Sequence, residues 1–199
     1  MIINIIGQII GFVAMALMML SFQIKKPKFM LTAQCAAQVC FTVHFFMIGS
    51  VSGAVQNLIS AIRGVGLISN VKAFRSNASK YVFICLYMIS PVVMFVLLPH
   101  EGSGLLANAP DWVILTVDFL PAVAMAINTY YIWTLDARKH RMSQLYAASP
   151  MWITYNILNA SYSGIITEIF NAVSSLIFLL RTGGFKKNKN AGKSEGESK

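Results

Sequence analysis

Long apolar runs separated by short polar connections occupy most of the chain, at residues 2–22, 30–48, 51–68, 81–98, 112–133, 143–158 and 163–180. Each approaches the roughly 20 residues that a helix needs to cross a hydrocarbon layer about 30 Å thick. The first, fourth, fifth and seventh are the most continuous, whereas the second, third and sixth carry more polar residues. Strands of a membrane barrel would alternate polar and apolar residues over about ten positions, and these runs do not. The pattern predicts an all-α polytopic membrane protein with seven transmembrane helices.

Composition agrees. Of the 199 residues, 56% are hydrophobic and 12% charged, against roughly 45–50% and 25% in soluble domains. A net charge of +9 would suggest nucleic acid in a soluble chain. Here the basic residues punctuate the apolar runs, so the expected partner is the lipid bilayer and not nucleic acid. Lys25, Lys26 and Lys28 fill the first connection, Lys72, Arg75 and Lys80 the third, and Arg138, Lys139 and Arg141 the fifth. Arg181 and five lysines follow the last run. Of the 16 Lys and Arg residues only Arg63 falls within a run, and the connections near Gly49, at 99–111 and near Ala160 hold none. Cytoplasmic loops retain Lys and Arg, which predicts an outside amino terminus and a cytoplasmic carboxyl terminus. Without a basic leader or a cleavage site, the first span is expected to be retained. Residues 182–199 read as a disordered basic tail attracted to anionic lipid. Cys35, Cys40 and Cys85 lie within spans and form no C-x-x-C. They read as small apolar residues, with no metal or other cofactor expected.

The chain also matches itself. Val13-Ala14-Met15-Ala16 recurs as Val123-Ala124-Met125-Ala126, an offset of 110. Ser50-Val51-Ser52-Gly53 aligns with Ser161-Tyr162-Ser163-Gly164, Lys28 with Lys139, and Ala36-Ala37 with Ala147-Ala148, all at 111. One inserted residue reconciles the two offsets. The expected organisation is a three-helix repeat at 1–70, a linker helix with its loops at 71–110, a second repeat at 111–181, and the tail. Three spans reverse the chain's direction, so the single linker span leaves the repeats parallel.

This three-one-three layout resembles SWEET, PQ-loop and related transporters, and Met19-Leu20-Ser21-Phe22-Gln23-Ile24-Lys25-Lys26 resembles the PQ-loop region without its proline. Thr134-Leu135-Asp136 lacks that proline as well. More closely, Ser21-Phe22-Gln23, His44-Phe45 followed by Gly49, then Asn57 and Arg63, resemble the first half of the bacterial inner-membrane YgjV family. That resemblance implies an inner-membrane location. The SWEET resemblance implies substrate contacts from Asn57 and Phe41 in the first half and from Trp152 and Glu168 in the second, with Asn171 as an alternative counterpart of Asn57.

Ionisable residues within spans are costly and normally face a bundle interior or a water-filled cavity. Gln8, Asn57, Asp118 and Glu168 each lie about six residues inside a span, roughly 9 Å deep at 1.5 Å per residue. The repeat pairs Gln8 with Asp118 and Asn57 with Glu168, while His44 and its counterpart Tyr155 approach the same level. A central polar cavity open to the outside is the expectation, and its carboxylates favour a cationic or proton-coupled solute. Structural roles compete: Asn57 bonding across a helix contact, Glu168 and Asp118 bonded to neighbours, and His44 as a satisfied interior histidine or a proton relay. Arg63 is expected to snorkel to the cytoplasmic surface, with a carboxylate or an anionic substrate as its alternative partner. Pro121 and Pro150 would kink their helices and act as hinges. The glycine pairs Gly7/Gly11, Gly49/Gly53 and Gly64/Gly66 allow close helix packing, and homo-oligomers are permitted. Trp112 and Trp133 read as interface anchors.

No H-E-x-x-H, G-x-S-x-G or P-loop occurs, and no enzymatic activity is expected. The leading expectation is a transporter or facilitator of a small polar solute working by alternating access. The alternative is a non-transporting inner-membrane structural, assembly or sensor protein.

Overall fold

A computed structural model describes residues 2–21, 24, 27–69, 71–98, 102–134 and 136–182. The expected tail beyond 182, and Phe22, Gln23, Lys25, Lys26 and Leu135, lie outside the described residues. The helices are α1 (Ile2–Ser21), α2 (Pro27–Met47), α3 (Val51–Ile68), α4 (Asn77–Leu97), α5 (Asp111–Ile132), α6 (Ala137–Ser143), α7 (Ser149–Leu158) and α8 (Tyr162–Arg181). A π turn at Gln144–Ala148 joins α6 and α7 into one rod, so the described fold is all-α with seven rods. Six of them, α1 to α5 and α8, are long and apolar enough to cross a membrane.

The sixth rod begins at Ala137, six residues before the apolar run that predicts it. Asp136 caps it, accepting from the backbone N–H groups of Arg138 (3.0 Å) and Lys139 (3.1 Å). Such a cap satisfies donors that an open helix end leaves bare. The Lys139 N–H foremost, then that of Arg138 and the nearby positive charges, hold the Asp136 carboxyl below its ordinary range. The π turn has its own cause. Pro150 follows it after one residue, and a proline ring collides with the carbonyl four residues back in a regular helix. The wider turn, in which Ser149 N–H bonds to Gln144 O, gives that ring room.

Surface and interior are inverted relative to a soluble protein. Ile3, Ile9, Phe46, Val96, Leu97 and Leu180 are each more than half exposed, while Ser21, Gln56, Ser149, Ser161, Ser163 and Ser175 are fully buried. A lipid solvent accepts the first set, and close helix packing with hydrogen bonds accommodates the second. The helices pack in a closed circuit: α1 on α2, α2 on α3, α3 on α5, α5 on the α6–α7 rod, that rod on α8, and α8 on α1. α4 lies outside it, against α3 and α5. Lys28, Lys72, Arg75, Lys80, Arg138, Lys139 and Arg181 fall at one end of the bundle, here the basic end. The connections after α2, α4 and α7 form the neutral end.

Two neutral-end turns share one geometry. Gly49 (φ 85°) and Ala160 (φ 53°) adopt the left-handed conformation. Ser50 (φ −91°, ψ 71°) and Ser161 (φ −89°, ψ 88°) then start α3 and α8. The backbone bonds match as well, Ser50 N–H to Phe45 O at 2.8 Å and Ser161 N–H to Asn156 O at 2.9 Å. An alanine in this conformation costs roughly 1–2 kcal/mol that glycine avoids. Ala160→Gly is therefore expected to raise the melting temperature of the detergent-solubilised protein by about 2–4 °C, and Gly49→Ala to lower it. A fall on Ala160→Gly would show that the turn is not strained.

Candidate functional site

The circuit encloses a partly open cavity of about 360 Å³, at the small end of the roughly 300–1,000 Å³ of ligand pockets. Its lining runs from Phe45, Asn156 and Gly164 down to Met18, Met30 and Ile132 near the basic end. Asn57, Arg63, Phe41, Trp152, Glu168 and Asn171, six of the expected residues, all line it. No neutral-end connection contributes to it, so the expectation of a cavity open to that end is corrected.

Glu168 is the most fully bonded of these. Ser149 Oγ (2.8 Å) and Gln144 Nε2 (3.2 Å) donate to one carboxyl oxygen, and Asn171 Nδ2 (3.1 Å) to the other. Gln144 and Ser149 stand at the two ends of the π turn, so the carboxyl joins α8 to the one irregular joint of the α6–α7 rod. Asn57 spends its Nδ2 on Gly53 O of its own helix, at 2.9 Å, not on a neighbouring helix as one expectation held. Several amide oxygens in the lining, Asn128 Oδ1, Asn156 Oδ1 and Asn171 Oδ1, are buried without a hydrogen-bond partner.

Arg63 does not snorkel. It is 5% exposed, donates to Thr129 Oγ1 of α5, and stands 5.8 Å from the Tyr87 ring. Thr129 faces α3 near the end of α5, and this partner keeps the guanidinium inside. His140 lies within the electrostatic reach of both Arg63 and Arg141, and its Nδ1 is buried without a partner. Arg141 packs over the Phe178 ring at 5.6 Å and reaches Ser175 Oγ at 3.5 Å. His140 and Arg141 also line the cavity.

An aromatic layer bounds the cavity towards the neutral end, with Phe45 5.9 Å from Trp152 and 6.0 Å from Tyr155 between ring centres. Beyond it the neutral end is closed by hydrogen bonds between helices distant in sequence. His44 is fully buried, its Nδ1 2.8 Å from Gly7 O and its Nε2 2.8 Å from Ser161 Oγ. Because a carbonyl can only accept, Nδ1 carries the proton. Tyr155 Oη accepts from Gly53 N–H at 2.8 Å. Asn159 Oδ1 accepts from Ser50 Oγ (2.9 Å) and Ser103 Oγ (2.5 Å), and Gln8 Nε2 donates to Ala160 O (2.8 Å).

Gln8 and Asp118 are thus corrected as cavity residues. Gln8 belongs to the closed end, and Asp118 lines a separate pocket of about 60 Å³ beside Ser50, Ser52 and Asn159. Each sits at the expected depth, but its helix turns it away from the cavity. His44 and Tyr155 likewise serve the closure and do not line the cavity. Pro121 is buried within α5, whereas Pro150 is exposed behind the π turn. Sequence reasoning missed Gln144, Ser149, Asn128, Asn156 and His140. Asn156 and Asn128 carry a visible signal, lone amides inside apolar runs. His140 lies in a segment read as a loop, and Gln144 at the very start of the sixth run.

A lipid-compatible exterior, a small and polar interior, and a cavity between the helices define a multi-pass helical membrane protein. The chain belongs to the Imp-YgjV family, described as a bacterial inner membrane protein, which matches residues 5–185. No curated protein and no solved structure matches the chain.

Proposed function

We propose that the protein is a non-enzymatic transporter or facilitator that moves a small polar solute across the inner membrane by alternating access. The observation that carries this reading is the asymmetry of the central cavity. It sets Asn57, Arg63, Asn128, Glu168 and Asn171 among apolar side chains, is large enough for a small metabolite, and is lined down to the basic end, while aromatic rings and inter-helix hydrogen bonds seal the other end. With the positive-inside rule, the basic end is cytoplasmic, the amino terminus is outside, and the conformation described faces inward.

A duplicated three-helix unit, with the SWEET-like three-one-three arrangement, is part of the same reading. Its support is the matched turn geometry at Gly49 and Ala160 and the exchange of partners across the halves. His44 of α2 reaches Ser161 at the start of α8, and its counterpart Tyr155 reaches Gly53 at the start of α3. The helix circuit is also mapped onto itself when α1, α2 and α3 are exchanged with α5, the α6–α7 rod and α8. Two similar halves meeting at such contacts can rock about the aromatic layer.

The test needs no substrate. On a background without Cys35, Cys40 and Cys85, Asn57→Cys is exposed to a membrane-impermeant maleimide in right-side-out and in inverted vesicles. Labelling is expected mainly from the basic face. Adding Asn159→Ala and Tyr155→Phe, which remove closing bonds, is expected to move labelling towards the opposite face by several-fold. A static assembly protein would show the same one-sided labelling in both backgrounds.

A further inference from the structure

Arg63 is the least explained charge in the fold. It sits in a membrane-spanning helix at 5% exposure, and among the described residues no carboxylate lies within ion-pair distance of it, the one ion pair being Lys139–Asp136 at the basic end. A buried charge without a counter-ion is expensive, and one neutral hydroxyl together with one aromatic face does not balance it. Arg141 and His140 stand near it and line the same cavity, so two guanidinium groups share this part of the wall. Glu168 lines the same cavity but makes no ion pair with Arg63; its oxygens take Ser149, Gln144 and Asn171 instead. The wall also includes Asn128, Asn156 and Asn171, whose amide oxygens are buried and have no hydrogen-bond partner. A ligand that completes this wall brings negative charge for Arg63 and donors for the amide oxygens.

We propose that the solute of this cavity is a small organic anion that also carries hydroxyl or amino groups, its carboxylate or phosphate held by Arg63 with Arg141 and His140, and its donors held by the asparagine oxygens. This replaces the cationic solute that the carboxylates alone favour, and it rests on the transport reading above. A guanidinium pairs with a planar oxyanion through parallel hydrogen bonds, and the Nη1 contact to Thr129 fixes its orientation. About 360 Å³ admits a metabolite of this kind and excludes a peptide or an intact lipid. A lipid phosphate presenting only its headgroup has the same chemistry, and the experiment separates it.

The full-length protein in detergent is melted with millimolar L-serine, L-lactate or glycerol 3-phosphate, with D-glucose or ethanolamine, and with phosphatidylglycerol in mixed micelles. A ligand at a hundred times its Kd is expected to raise the melting temperature by about 5–10 °C. At least one of the three acids should do so, glucose and ethanolamine should not, Arg63→Gln should abolish the shift, and Arg63→Lys should restore part of it. If Arg63→Gln does not fold, the wild-type series and Arg63→Lys decide. A shift with glucose or ethanolamine but with no acid overturns the anionic class and leaves the transport reading standing. An Arg63-dependent shift with phosphatidylglycerol alone makes the anion a headgroup and overturns the solute. No shift with any of them overturns the proposal, while the maleimide experiment still judges alternating access separately.

Discussion

Gly11→Ala is expected to be among the most disruptive single-methyl changes available in this chain. A Cβ at position 11 would sit 2.7 Å from His44 Nδ1 and 2.9 Å from its Cε1, and closer still to Ser163 Oγ. α1, α2 and α8 meet there, and the imidazole in the way is bonded at both nitrogens. To make room, α1 must retreat or the ring must turn. Overpacking costs about 1–3 kcal/mol, and orphaning a buried polar partner costs about 1–3 kcal/mol more. The sum, roughly 2–6 kcal/mol, corresponds to a melting temperature lowered by about 5–20 °C. Ile9→Ala on the same helix is the control, since Ile9 is 58% exposed and should shift melting by little. Equal melting of Gly11→Ala and wild type would refute the tight three-helix contact.

Glu168→Ala is the second large effect. The change removes the acceptor of Asn171 Nδ2 and that of the Ser149 hydroxyl, and it weakens the tie between α8 and the π turn. Two orphaned donors cost roughly 2–6 kcal/mol, less whatever cavity water recovers. Glu168→Gln keeps one acceptor oxygen and nearly the same volume, so it should melt within about 2 kcal/mol of wild type. Thermal unfolding of the two variants side by side measures the difference. If Ala melts no earlier than Gln, the three hydrogen bonds do not hold the joint.

The class of fold was legible because lipid as a solvent leaves a one-dimensional record: apolar runs of helix length, with Lys and Arg placed between them. α1, α3, α5 and α8 follow those runs to within a residue or two. The start of α6 was not legible from hydropathy, because Arg138, Lys139, His140 and Arg141 read as a loop until Asp136 is recognised as a cap. The candidate site was legible by residue type and depth, and less so by direction. Depth along a helix follows from counting, which placed Asn57, Glu168, Gln8 and Asp118 at one level. Which way each side chain points depends on helix rotation about its axis, and that separated the first two from the last two. Arg63 failed for a related reason. Its stem is long enough to reach water, and only the position of Thr129 on α5, 66 residues away, shows why it stays inside. Four of the pairings that close the neutral end join residues more than a hundred positions apart, such as His44 and Ser161, and no local pattern records them.

The chemistry of that closed end has an electrical consequence. Apart from His44, it is made of hydroxyls, amides and backbone carbonyls, none of which carries a formal charge. A membrane potential does work of about 2.3 kcal/mol per elementary charge for every 100 mV that the charge crosses. Breaking and remaking these bonds moves almost no charge through the field. The guanidinium groups of Arg63 and Arg141 lie nearer the basic end and take no part in these bonds. In the alternating access proposed above, voltage would therefore have little grip on the opening of the seal and would act on a charged solute in the cavity.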